Sequence, residues 1–355
     1  MNLVHLYPWD VTDGLADLGV DGVMLAASYH SVRAATPRHP AHRHVTAPHA
    51  ASYVPVRREK YARLVPAEPT WTSRNAFAET RARLRGLPVH AWTVLTHSSA
   101  LGTAHPDLAV VNAFGDLYEY ALCPSAEEVR AYCRALVGEV LELGEPDGLL
   151  LEACGPLGVT HAGHHDKTFW TPVQAALLSI CFCAACLLVL PEPEELRRRV
   201  RAGVDAGLPP EEALGDLADR VREIRVSLST RLRDEVVEVV GGRVPIALHA
   251  NPDPWAAMPS SAVVEAPKGV DVLVANCWGP DGERRVEALS RFGLPVAAYV
   301  QALGADPQEL VQRYRQARDL HWYHAGMASA DLLRAIGEAI SGDPARRTRS
   351  PQGRS

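Results

Sequence analysis

Along the chain, short runs of β-branched and apolar residues that close on polar or aromatic positions alternate with segments whose apolar residues recur three and four apart. The runs are NLVHLY (2–7), DGVMLAASYH (21–30), PVHAWTVLTH (88–97), DGLLLEA (147–153), VPIALHAN (244–251), DVLVANCW (271–278), PVAAYVQA (295–302) and LHWYHAG (320–326). The intervening period is that of amphipathic helices, as in SAEEVRAYCRALVGEVLEL (125–143), which opens on a capping-box pattern, and EELRRRVRAG (194–203). About eight strand-then-helix units predict an α/β fold, a (β/α)8 TIM barrel with long loops after strands 2 and 4. An open doubly wound sheet is the alternative, but no glycine-rich nucleotide loop follows the first strand. On this reading residues 1–342 form a single barrel domain, and the polar DPARRTRSPQGRS (343–355) is a disordered tail.

Loops that leave the C-terminal ends of barrel strands build the active site. The two long ones, 31–74 with RHPAHRHVTAPH and 154–191 with HAGHHDK, are therefore expected to wall or cover it. His39, His42, His44 and His49 in the first read as solvated loop residues. The residues closing the strands converge: Tyr7 and Asp10, Tyr29 and His30, Trp92 and His97, Glu152, His249 and Asn251, Asn276 and Trp278, Tyr299 and Gln301, and Tyr323 and His324. Aromatic faces stack on the C–H face of a pyranose while amides and imidazoles bond its hydroxyls, so this mixture suits a sugar, although polar residues gather at strand ends in any such barrel.

Glu152 stands apart. The apolar GLLL delivers it to the end of an otherwise hydrophobic strand, where desolvation raises a carboxyl pKa and fits it to donate a proton to a leaving oxygen. A structural pairing with Lys167 or an arginine is the alternative. HAGHHDK places His161, His164, His165, Asp166 and Lys167 just beyond Glu152, as substrate contacts, a proton relay or a metal site.

Composition narrows the partners. The 355 residues, 47% hydrophobic and 22% charged, suffice for a large core, and a net charge of -6 with scattered arginine argues against nucleic acid. The N-terminus lacks a secretory signal and no apolar run reaches the roughly eighteen residues of a membrane span, so the expected location is cytoplasmic, with no membrane partner. Seven cysteines, an odd number, speak against a disulfide framework. Cys181, Cys183 and Cys186 in CFCAAC then read as apolar packing, as a redox pair lacking its usual βαβ setting, or as three of the four thiolates of a tetrahedral zinc.

The order of these motifs resembles the family 42 glycoside hydrolases, β-galactosidases on a (β/α)8 barrel. Cys123-Pro124 in ALCPSAEEVRAY, Glu152 in LLLEA and CFCAAC match the family's Cys-Pro segment, its acid/base glutamate at the end of the fourth strand and its cysteine cluster. The match is close over residues 120–190 and otherwise rests on fold type. It implies a structural zinc held by Cys123, Cys181, Cys183 and Cys186, and hints at a homo-oligomer. Leu151 stands where the family has Asn, and the seventh strand ends near Gln301 without the family's nucleophilic glutamate. Asp10, Asp166 and Asp253 are the candidates for a second carboxylate, the first two preferred.

The resulting expectation is a glycosidase-like hydrolase acting on a glycoside or related small molecule. Its catalytic residues would be Glu152, Asp166 and Asp10; its substrate contacts would be the strand-end residues together with His164, His165 and Lys167. A metal-dependent sugar isomerase, epimerase or lyase, and a non-catalytic sugar-binding barrel, are the alternatives.

Overall fold

The computed structural model describes residues 1–160 and 169–342. Each of the eight apolar runs forms a strand: β1 (Asn2–Leu6), β2 (Gly22–Tyr29), β3 (Val89–Val94), β4 (Gly148–Glu152), β5 (Ile246–Asn251), β6 (Val272–Asn276), β7 (Val296–Gln301) and β8 (Asp319–Tyr323). Every strand pairs in parallel with its neighbour in sequence, and β8 pairs with β1 through Leu3↔His321, closing the barrel. Nearly all strand residues are buried, because side chains fill the barrel on one face and helices cover the other.

The outer ring is made by α1 (Ala76–Arg83), α2 (Glu127–Gly144), α3 (Pro193–Ala206), α4 (Ala218–Val240), α5 (Gly282–Ser290), α6 (Pro307–Arg313) and α7 (Ala330–Gly342). Two connections depart from the predicted alternation. Only a 3-10 turn, Ala16–Leu18, lies between β1 and β2, and no helix lies between β5 and β6. Prolines 252, 254, 259 and 267 punctuate the latter segment and remove the donors a helix needs. Its place is taken by the short strand Ser261–Ala262 on β5, which α4 reaches through a 3.2 Å hydrogen bond from the Ala262 amide to the Ser229 hydroxyl.

The predicted capping box at Ser125 is not formed. Cys123-Pro124 turns first, α2 starts one residue later with Ala126 as its cap, and no side chain caps it. The Arg130 guanidinium instead donates to the carbonyls of Pro124 and Ser125 at 2.8 and 2.9 Å.

The loop after β2 begins as a hairpin, Val32–Ala35 against His44–Ala47. His42 and His44 on it are exposed, whereas His39 is half-buried and His49 packs edge-on against Trp71. A second hairpin, Ala109–Val111 with Leu117–Leu122, leads from β3 to Cys123. Among the described residues no helix is long and apolar enough to cross a membrane. The tail 343–355 and His161, His164, His165, Asp166 and Lys167 lie outside the described residues.

The barrel interior is unusually rich in rings. His5 sits 4.8 Å from both Trp92 and Tyr299, and its Nε2 lies 3.4 Å from Nδ1 of His321. Lower down, a Cβ on Gly148 would fall 2.1 Å from Nδ1 of His90, so the glycine that opens β4 provides the space His90 occupies. Burial holds His5, His90 and His321 below the ordinary histidine range, so the column is neutral.

Candidate active site

Leu150 pairs with Trp92 across β4 and β3, and two residues later Glu152 points to the same inner face. Its carboxylate accepts a 2.7 Å hydrogen bond from the Trp92 indole. Glu152 is 5% exposed. Burial pushes its pKa up to about 7, against the smaller opposing pull of the Trp92 hydrogen bond. The chain then turns sharply at Ala153, a non-glycine residue with φ of 52°. That conformation is held from both sides: the Ala153 amide donates to the Pro259 carbonyl, and the Thr96 hydroxyl donates to the Ala153 carbonyl at 2.8 Å.

Above Glu152 lies a cavity of about 1380 Å³ at the C-terminal ends of the strands. Glu152, Tyr29, His249, Tyr299 and Tyr323 line its floor, and His30, Asn251, Asn276, Trp278, Gln301 and His324 line its sides. His97 belongs to the lining as well, its ring tilted against that of His30 at 4.3 Å. Tyr29 and Tyr323 meet hydroxyl to hydroxyl at 3.0 Å. Burial holds His249 down to about 3 and His324 down to about 4, while it raises the tyrosines, so the floor presents neutral rings around one carboxyl. His249 is 3% exposed and its Nε2 has no hydrogen-bond partner among the described residues. The indole of Trp278 stacks on Tyr323 at 4.8 Å and 9°, and is 44% exposed.

Three candidates from the sequence lie elsewhere. Tyr7, Trp92 and Asp10 do not line the cavity. Trp92 packs under the floor between His5 and Tyr29, and acts on the site through Glu152. Tyr7 stacks on Trp9, because β1 ends at Leu6 and the chain folds back immediately, with the Asp10 amide on the Tyr7 carbonyl. The Asp10 carboxylate closes this turn by accepting the Tyr7 amide at 2.7 Å. The amides Asn251 and Asn276 line the cavity, yet their carbonyl oxygens cap the turns that follow, accepting from Asp253 and Trp278.

The first long loop contributes Ser31, Val32 and Arg33, and the second Thr160, Trp170, Pro172, Ala175 and Ala176. The segment after β5, which no long insertion in the sequence marks as a wall, supplies Asp253, Trp255 and Met258 among others. Its signal in the sequence is the aromatic residue in NPDPW directly after a strand. Behind it, the buried Arg225 of α4 donates to the carbonyls of Ser179, Pro254 and Ala256, tying the loops after β4 and β5 together.

The thiols of Cys123, Cys181, Cys183 and Cys186 all lie within 4.8 Å of one another and are buried, with Cys123 and Cys186 at 3.5 Å. Sulfurs on a tetrahedral zinc with bonds of about 2.3 Å are just under 4 Å apart, so the donor set fits that ion. Hydrogen bonds from the other three thiols favour the thiolate at Cys183, while the same contacts and burial hold Cys123 and Cys186 as neutral thiols. No other group of three His, Cys, Asp or Glu is gathered closely enough for a metal among the described residues.

Closure of eight parallel strands with the cavity at their C-terminal ends makes this a (β/α)8 barrel. The glycoside hydrolase domain of PgaB (BpsB) from Bordetella bronchiseptica shares the fold at a TM-score of 0.50 and 16% identity, over 96% of this chain and 97% of that one. The catalytic domain of a β-amylase from Paenibacillus polymyxa does so at 0.55 and 10%, again over 96% and 97%. A β-galactosidase from the psychrophilic Marinomonas ef1 matches at 0.52 and 11%, over 96% of this chain and 59% of its own. No protein-family model and no curated protein matches the chain.

Proposed function

We propose that this barrel is a glycoside hydrolase-like enzyme that acts on a glycoside or related sugar-containing molecule, with Glu152 as general acid/base. The observation that carries the reading is the buried carboxyl of Glu152, raised to about 7, opening from the fourth strand into a cavity floored by neutral aromatic and imidazole side chains. A carboxyl near neutrality is half protonated at working pH, as a proton donor to a leaving oxygen must be. His249, with its unpartnered Nε2, and the open face of Trp278 would bind a sugar by hydrogen bond and by stacking. The three barrels above, named as a glycoside hydrolase domain, a β-amylase catalytic domain and a β-galactosidase, support the same reading at the level of fold.

The second carboxylate in this reading would be Asp166, which follows Glu152 along the chain and lies outside the described residues. Asp253 is its rival, since it lines the cavity whereas Asp10 does not. A metal-dependent isomerase is less well supported, because the only metal-like group among the described residues is the cysteine cluster. Glu152→Gln is the test: turnover should fall by about 10³-fold with the fold intact, and kcat/KM of the unaltered enzyme should fall as pH rises through about 7. Unaltered rates would remove Glu152 from the chemistry.

The four cysteines would hold a structural zinc, and four thiolates leave no position for substrate. When bound, the ion would cross-link the hairpin that ends at Cys123 to the loop after β4. Cys123→Ser should lower zinc content and melting temperature together, and an unchanged zinc content would return the cluster to simple packing.

A further inference from the structure

On the outer side of Trp170 lies a second cavity, of about 650 Å³, and Trp170 belongs to the walls of both. Its far wall is the turn of the second hairpin, which carries Phe114, and its near wall is the short helix Pro172–Leu178 with Gln174. Nothing in the catalytic floor needs this space. The turn is built to present Phe114. Asn112 accepts from the amides of Phe114 and Asp116 at 2.9 and 3.0 Å, and its own amide donates to Asp116 and to the Tyr118 hydroxyl. Arg201 of α3 backs the assembly, with its guanidinium 5.4 Å from the centre of the Phe114 ring and its Nε donating to the Ala113 carbonyl at 2.8 Å.

Phe114 is nevertheless 40% exposed and Trp170 41%. Leaving two large apolar rings exposed to water forfeits the gain of burying them, which is understandable where a ligand covers them. The main cavity already exceeds the roughly 300–1,000 Å³ of a usual small-molecule site. A second cavity on the other side of a shared tryptophan suits an extended ligand that is apolar on its ring faces and polar at its edges.

We propose that the second cavity is a distal subsite for a carbohydrate chain, with Trp170 stacking on a sugar between the two cavities and Phe114 on a sugar beyond it. This rests on the glycosidase reading and narrows it: the substrate class is an oligosaccharide or polysaccharide rather than a small glycoside.

The test uses the full-length Glu152→Gln protein, so that binding is read without turnover. Cello-, xylo-, manno- and galacto-oligosaccharides from disaccharide to hexasaccharide are titrated calorimetrically. In the series that binds, affinity should rise about ten-fold or more with length, and Phe114→Ala in the same background should bring the hexasaccharide-to-disaccharide ratio down about ten-fold. An unchanged ratio in Phe114→Ala, or equal affinity at every length, overturns the distal subsite while leaving the role of Glu152 standing. If none of the four series binds, the distal subsite is overturned, and the turnover comparison for Glu152→Gln decides separately whether the glycosidase reading stands.

Discussion

Glu152 and Asp10 are both buried carboxyls whose pKa burial pushes up to about 7, yet they occupy different worlds. Among the described residues the Glu152 carboxyl has one donor, the neutral Trp92 indole, and it faces the large cavity. Asp10 is tied into the turn after β1 by the Tyr7 amide and abuts Gly326 so closely that a Cβ there would fall 1.8 Å from its Oδ2. Arg38 pulls its pKa down, more weakly than burial raises it. A raised pKa therefore does not by itself mark a catalytic acid. Access to a reacting atom does, and only one of the two has it.

The sharpest way to break this contrast is to neutralise each carboxyl in turn. Glu152→Gln should cost about 10³-fold in turnover, and Asp10→Asn, which keeps an oxygen for the Tyr7 amide, should stay within about three-fold. Comparable losses in both would make access irrelevant.

Stability should respond to pH alike at the two positions, since it depends on burial and not on access. Each folded pKa lies above its unfolded value, so the fold prefers the protonated form. The stabilisation is complete below about pH 4 and is lost as pH rises through about 7, on the order of 3 kcal/mol per group. Denaturant titrations at pH 5 and pH 8 should thus show each neutralised variant losing less stability than the unaltered protein on going to the higher pH. A variant that tracks the parent at both pH values would show that its carboxyl is ionised throughout.

The smallest effect is expected under the floor. Trp92→Phe removes the hydrogen bond that lowers the Glu152 pKa, so the alkaline limb of kcat/KM should move to higher pH. The limb should stay put in Asp10→Asn, and movement there would couple the two sites.

Much of this was legible along the chain. All eight strands follow from apolar runs, because a strand covered on both faces has no polar position to interrupt it. Glu152 was visible as the acidic end of such a run. Tyr7, Trp92 and Asp10 were placed with the strand-end ring because a single strand does not show how high each residue rises in a tilted barrel. Tyr7 folds away with the turn that Asp10 closes, and Trp92 ends one layer low. The wall after β5 is hidden in the sequence because its prolines suppress the periodicity by which elements are recognised.

The sequence by itself determined the class of fold, the acidic strand end and a thiol spacing that suits a metal, since all three are local patterns of burial and ligand type. Only the tertiary structure decided which of Glu152 and Asp10 faces open space, and how Cys123 meets thiols some sixty residues further on. It alone set Trp170 between two cavities. Those outcomes depend on how distant segments pack on a closed barrel, and no local period encodes the distance between segments that meet only when the barrel closes.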